Sequence, residues 1–266
     1  MVAQLFLIGP ALSPRADLIG GKAVGLGHLA RAGANVPPGV VVSVSAHTGH
    51  PDSVSAIVQL LLRQLPREAK SLSAAKLYAV RSSNAAEDSE SASYAGVFTT
   101  TLNVPLKDMA HAVSACIASY SSTRVASYER LHGLNGDRSV VMAVVVQEML
   151  APRCAGVAFS CHPTTGDSRY IAIEAVPGLG ESLVSGRVTP DWYLLDRKSG
   201  YLIDFEPGDA TNGTAVLDRA DLEKVSRLTT KMHGRGGTAV DIEFAFEEST
   251  LYALQLRPVT ARLTGD

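Results

Sequence analysis

The sequence predicts an α+β protein of two lobes with an active cleft between them, and three observations predict it. Helical and strand patterns alternate over the first half of the chain and then give way to a strand-rich second half. The length, 266 residues, is enough to bury one large core or two smaller ones. The chain closes on VDIEFAFEESTLYALQLRPVT, an amphipathic hairpin pattern with a carboxylate, an amide and a guanidinium on its polar face. Hydrophobic residues make up 46% and aromatics only 6%, so the core is expected to be built from Ala, Val and Leu.

Taken in order, the N-terminal MVAQLFLIGPAL has no basic leader region and reads as a strand rather than a signal peptide. Residues 20–32 (GGKAVGLGHLARA) read as a glycine-led helix start closed near Gly33. NVPPGVVVSVSAH gives a turn and a strand. Residues 52–65 predict a helix capped by Asp52 or Ser53. KLYAVRS reads as a strand followed by the polar loop SSNAAEDSESAS, and another strand is expected from Val97 to Val104. Pro105 suits the first position of a helix to Tyr120, and TRVASYERLHG predicts a second helix. VVMAVVVQEML, RCAGVAFS, YIAIEAV, DWYLLDR and YLIDFEP are candidate strands. Residues 218–233 predict a helix with Leu222, Val225, Leu228 and Met232 on one face.

In the closing hairpin, alternation places Asp241, Glu243 and Ala245 on one face and Ile242, Phe244 and Phe246 on the other. In the second strand Leu251, Ala253, Gln255 and Arg257 are expected to share a face. A turn around Ser249 sets Glu243 across from Gln255 and Asp241 across from Arg257. Mg²⁺ takes oxygen ligands from one or two protein groups plus phosphates, so Glu243 and Gln255 suit it and Arg257 suits a phosphate. A hairpin with one solvated face has the same composition.

Other segments carry weaker signals. Gly20-Gly21-Lys22 opens a helix where backbone N–H groups and a lysine can meet an anion, without Walker A spacing. Arg81 leaves a strand beside a polar loop and suits bidentate phosphate binding, or an ion pair with Glu87 or Asp88. In SYAGVFTTT, Gly96 lets backbone cover a triphosphate and Thr100 offers a hydroxyl. Gln147-Glu148-Met149-Leu150 ends the most apolar strand, where a backbone donor and acceptor between apolar walls suit an adenine. Glu174 and PGLGES are placed as a further lining of the cleft, or as ordinary turns.

Five segments together resemble the N-terminal ATP-binding domain of the phosphoenolpyruvate synthase and pyruvate phosphate dikinase family, which rifampin phosphotransferases share. They are GGKAVGLGHLARAGANVPPG, YAVRSSNAAEDSESASYAGVFTTTLNV, VVVQEMLAPRCAGVAFSCHPTTG, AVPGLGESLVSGRVTPDWYLLD and VDIEFAFEESTLYALQLRPVT, in the family's order. The resemblance implies an ATP-grasp-like fold holding ATP between two lobes, here residues 1–95 and 96–266. It implies ATP contacts from Lys22, Arg81, Gly96, Thr100 and Gln147, with Glu148 beside them. It implies Mg²⁺ on Glu243 and Gln255, and Arg257 bracing the phosphates. Lys22, Arg81 and Arg257 are the expected catalytic cations. The implied reaction cleaves ATP to AMP and phosphate through transfer to a histidine on a swivelling domain.

None of the seven histidines lies in a TCHA-like segment of the kind that carries the family's phosphohistidine; His162, in SCHPTTG, reads as a turn residue. The expectation is therefore a stand-alone half acting on a separately encoded phosphohistidine-domain protein, a small-molecule acceptor, or both. The competing readings are a self-sufficient kinase forming ADP and a subunit that binds ATP without turnover. A net charge of −2 argues against a broad nucleic-acid footprint. No apolar stretch is long enough to span a bilayer. Three cysteines without metal-ligand spacing suit a reducing cytoplasm.

Overall fold

A computed structural model of the chain describes residues 3–44, 76–83, 88–89, 92–93, 100–120, 142–184, 186–211, 213–233 and 238–259. The helices expected at 52–65 and from Thr123 to Gly133 lie outside the described residues, as does Gly96. The fold is α+β, in two compact units: Met1–Arg31 with Pro37–Met149, and Ala32–Val36 with Leu150–Asp266.

The first unit contains β1 (Ala3–Leu7), α1 (Ala16–Arg31), β2 (Gly39–Val44), β3 (Leu77–Ser83), the two-residue strands β4 (Asp88–Ser89) and β5 (Ala92–Ser93), β6 (Thr100–Pro105), α2 (Met109–Tyr120) and β7 (Met142–Glu148). Its main sheet has the order β1-β2-β7-β3-β6, antiparallel throughout. Because paired residues share a face, two sets separate cleanly. Val40, Val42, Tyr78, Val80, Val144 and Val146 pack with Met109, Val113 and Cys116 of α2. Val41, Ser43, Ala79, Arg81, Ser83, Val145 and Gln147 face the opposite way, the side on which the Ser43 and Ser83 hydroxyls donate to Leu18 and Ile19 of α1. β3 and β6 are hydrogen-bonded neighbours, so the lobe boundary expected at 95/96 cuts through one sheet. The division falls instead between Met149 and Leu150. Pro105 does not start α2. It is extended (φ −73, ψ 154), pairs with Leu77 as the last residue of β6, and is followed by one 3₁₀ turn.

The second unit contains β8 (Cys154–Phe159), β9 (Tyr170–Pro177), the single turn α3 (Glu181–Val184), β10 (Asp191–Asp196), β11 (Leu202–Glu206), α4 (Arg219–Met232), β12 (Val240–Glu247) and β13 (Thr250–Pro258). The sheet order is β11-β10-β9-β8-β12-β13, again antiparallel. One face carries Ile171, Ile173, Tyr193, Leu195, Phe244 and Phe246, all essentially buried, against Leu222 and Val225 of α4. The buried stripe of α4 continues through Ser226 and Thr229, while Leu228 and Met232 are half-buried. Asp218 and Asp221 form a reciprocal capping box at its start. Buried Asp191 accepts from the Gly208 and Val216 N–H groups and the Tyr193 hydroxyl, so one carboxylate fastens the 207–217 segment to β10.

Candidate nucleotide and metal site

In the first unit the site is built around a break in α1. Gly20 has φ 76 and ψ 166, so the helix restarts at Gly21-Lys22. A Cβ at Gly20 would stand 2.1 Å from the Ser83 carbonyl oxygen. Glycine has no side chain to cap the restarted helix, and Ser83 does it from β3. Its hydroxyl accepts from Ala23 N–H at 3.1 Å and donates to Ile19 O at 2.8 Å. Two residues back on the same face of β3 is Arg81, half-buried and directly opposite Thr100 of β6. Among the described residues the Arg81 guanidinium has no hydrogen-bond or ion-pair partner. A partly desolvated guanidinium without a counter-charge favours an anion.

At the end of β7 several polar groups are engaged within the first unit. Gln147 shares the Arg81 face, but its amide is 2% exposed and donates to Pro37 O at 3.0 Å. Glu148 pairs with Tyr78 and so lies on the other face, away from Arg81 and Thr100. Its carboxylate meets Lys76 at 2.5 Å. The Glu148 and Met149 N–H groups donate to Pro38 O and Leu77 O, so neither is the backbone donor expected for an adenine.

In the second unit Glu243 and Gln255 are direct partners across β12 and β13, as are Asp241 and Arg257. The route to that register differs from a simple turn about Ser249. Glu247 pairs with Thr250 across the two-residue turn Glu248-Ser249, with Glu248 at φ 52, and the count is then shifted by a bulge at Leu254. The bulge also overturns the expected face of Leu251 and Ala253. They pair with Phe246 and Phe244 and join the apolar side, whereas Gln255 and Arg257 stay with Glu243 and Asp241. Asp241, 5% exposed, accepts from Arg257 Nε at 2.7 and 2.9 Å and so sets the plane of the guanidinium.

A carboxylate and an amide side by side are hard oxygen donors, too few for Ca²⁺ but suited to Mg²⁺, which keeps phosphate and water oxygens in its shell. Among the described residues no group of three or more His, Cys, Asp or Glu gathers to hold a metal by itself. The donor set therefore fits a cation that arrives with phosphates.

The register extends the row beyond what the sequence disclosed. Gln255, Glu243, Val157, Glu174, Trp192 and Glu206 stand abreast across all six strands on one face. Burial pushes the Glu174 carboxyl above its usual range. Glu174 and Trp192 occupy alternate positions in YIAIEAV and DWYLLD, but only strand order puts them in line. His162 holds a turn: its Nδ1 accepts from the Thr164 and Thr165 N–H groups. All three cysteines are buried, and burial pushes the Cys154 thiol up to about 11, so it stays protonated. No described helix is long and apolar enough to cross a membrane.

These features define an α+β protein with a helix restarted at a glycine beside a strand end, and with a carboxylate–amide pair in direct register on one sheet face. The chain belongs to the family of the pyruvate phosphate dikinase AMP/ATP-binding domain, which it matches over residues 45–212. It is 32% identical to the prodigiosin synthesizing transferase PigC of Serratia marcescens, over 92% of this chain and 32% of that protein. It is 30% identical to a probable phosphoenolpyruvate synthase of Methanothermobacter thermautotrophicus, over 91% of this chain and 44% of that one. A rifampicin phosphotransferase of Streptomyces is 34% identical over 79% of this chain and 26% of its own length. The chain thus spans between about a quarter and somewhat under half of these relatives.

Proposed function

We propose that this domain binds ATP with Mg²⁺ in an ATP-grasp-like manner and serves as the nucleotide half of a dikinase-type phosphotransferase. The observation that carries the reading is the Glu243–Gln255 pair with Arg257 oriented by Asp241 beside it. Family membership supports the nucleotide.

In this reading Lys22, at the restarted end of α1, and Arg81 neutralise phosphate oxygens. Thr100 donates its hydroxyl beside Arg81, and Gly96 lets backbone approach the triphosphate. Gln147 contributes through the strand end it braces rather than through its amide. Arg257, its guanidinium oriented by Asp241, binds a phosphate oxygen. Glu243 and Gln255 hold the Mg²⁺, which when bound would neutralise charge on the phosphates. Phosphoryl transfer asks for positioned charge rather than covalent chemistry from these side chains.

The acceptor in this proposal is a histidine on a separate partner protein or domain, in the cytoplasm. Its ring nitrogen attacks the β-phosphorus and the Pα–O–Pβ bond breaks. AMP leaves with the bridging oxygen. Water then cleaves the pyrophosphohistidine to phosphohistidine and inorganic phosphate.

Phosphorus NMR of ATP and Mg²⁺ with the chain, with and without a phosphohistidine-domain protein, tests this. AMP and phosphate formed only with that partner is the expected result. ADP formed without it, once a small-molecule hydroxyl is supplied, would replace the proposal with a self-sufficient kinase.

A further inference from the structure

At the end of the cross-sheet row the second unit contains a cavity of about 400 Å³. Trp192 of β10 stands between Glu174 of β9 and Glu206 of β11, in direct register with both. The strand spacing puts the two acidic residues about 10 Å apart across the indole. His162 meets Trp192 edge-on with ring centroids 6.1 Å apart, and Pro190 and Pro207 complete the wall.

The wall is preformed. A Cβ at Gly208 would stand 2.3 Å from Thr189 O, the Thr189 hydroxyl donates to Asp209 at 2.5 Å, and Gly208 N–H donates to buried Asp191. Among the described residues no lysine or arginine lines the cavity. Among the described residues neither Glu174 nor Glu206 has a hydrogen-bond or ion-pair partner. Two uncompensated carboxylates repel phosphate, so this is not an extension of a triphosphate site. A bare divalent ion needs converging oxygens within about 2.6 Å, which Trp192 and two prolines do not supply.

We propose that this cavity is a binding site for an organic cation, a guanidinium or primary ammonium group on a short apolar stem. The indole face attracts the cation, the flanking carboxylates accept its N–H groups, and the prolines cover the stem. The inference does not depend on the ATP reading.

Trp192 is the only tryptophan in the chain, so fluorescence excited at the red edge, where the eight tyrosines do not absorb, reports on this cavity alone. Titration of the full chain with butylguanidinium should give a saturable change, and the neutral isostere butylurea should give none. Glu174→Gln should weaken the response by about tenfold or more. Glu206→Gln, on the exposed edge strand, should do the same where the fold is least at risk. The peptide acetyl-Gly-Arg-Gly-amide distinguishes the source: tighter binding than butylguanidinium assigns the cation to a protein side chain, and weaker binding to a small molecule. No saturable change, an equal response to butylurea, or indifference to both substitutions would overturn the proposal.

Discussion

Glu243 and Gln255 face each other across β12 and β13 because Leu254 is bulged out of the ladder between them and a two-residue turn. In an unbroken ladder from that turn Leu254 would oppose Glu243, and Gln255 would be turned to the apolar side beside Ile242. A carboxylate and an amide are thus brought abreast by a local irregularity, the kind of feature that re-aims a side chain at a site.

The first prediction concerns this pair. Glu243→Ala should lower Mg²⁺-dependent ATP turnover by about 10²-fold or more and raise the Mg²⁺ concentration needed for half-maximal rate. No described residue pairs with the Glu243 carboxylate, so melting without Mg²⁺ should change little. An unaltered Mg²⁺ dependence in the variant would remove Glu243 from the metal.

Arg257→Ala should cost both activity and stability. It removes both Arg257 Nε hydrogen bonds from the carboxylate of Asp241, which is 5% exposed. Removing one partner of a buried pair is strongly destabilising, and the partial exposure of Arg257 tempers this to about 2 kcal/mol, or about 5 °C in Tm. Asp241→Asn combined with Arg257→Ala should recover most of the Tm and none of the turnover. Thermal melts of the three variants decide it.

Arg81 should behave oppositely to Arg257. With no described partner to lose, Arg81→Ala should leave Tm nearly unchanged while weakening ATP binding about 10- to 100-fold. Arg81→Lys should recover only part, because an ammonium cannot bind two oxygens in one plane. Calorimetric ATP titrations with equal affinity for wild type and Arg81→Ala would exclude the residue from the site.

Gly20→Ala should be among the most damaging small substitutions, since the new methyl meets the Ser83 backbone at 2.1 Å and φ is 76. The cost should exceed about 2 kcal/mol. Ser83→Ala removes the remote cap and the hydrogen bond to Ile19 O, without steric conflict, and should cost less, about 1.5 kcal/mol. Urea denaturation midpoints in that order are expected, and a reversed order would contradict the geometry.

The last prediction is a pH dependence. His233 follows α4, and its Nδ1 lies 3.0 Å from the Ser160 hydroxyl, which also accepts from Val240 N–H. Burial first, then the charge of Arg197, lowers its pKa below 6.5. The unfolded chain therefore binds this proton more readily, and stability falls as pH drops below about 6.5 towards the folded value. In melts across pH 7 to 5, His233→Gln should flatten that decline. An equal slope in the variant would assign the decline to other groups.

Much of this architecture was legible because alternation and helical periodicity are local. β8, β9, β10 and the closing hairpin read directly from their patterns, and so did the helix from Gly20-Gly21, though not the turn of α1 that precedes it from Ala16. Pairing is not local. That Thr100 stands beside Arg81, or that Glu174, Trp192 and Glu206 form a line, depends on strand order. The 95/96 boundary failed for the same reason, since β3 and β6 lie on either side of the SSNAAEDSESAS loop yet share a ladder. Glu148 was grouped with Gln147 by adjacency, whereas neighbours in a strand face opposite ways. Leu251 and Ala253 changed face because a bulge leaves no mark in a hydrophobic pattern.

Gly20 against Ser83 has a consequence for how the first unit would meet a ligand. With the helix restart pressed onto the strand end and hydrogen-bonded to it on both sides of the glycine, α1 and β3 have no independent travel. A phosphate that drew Lys22 inward would draw the strand of Arg81 with it. In the proposed site Lys22 and Arg81 would then stand on two backbone segments whose separation is set at folding rather than on binding.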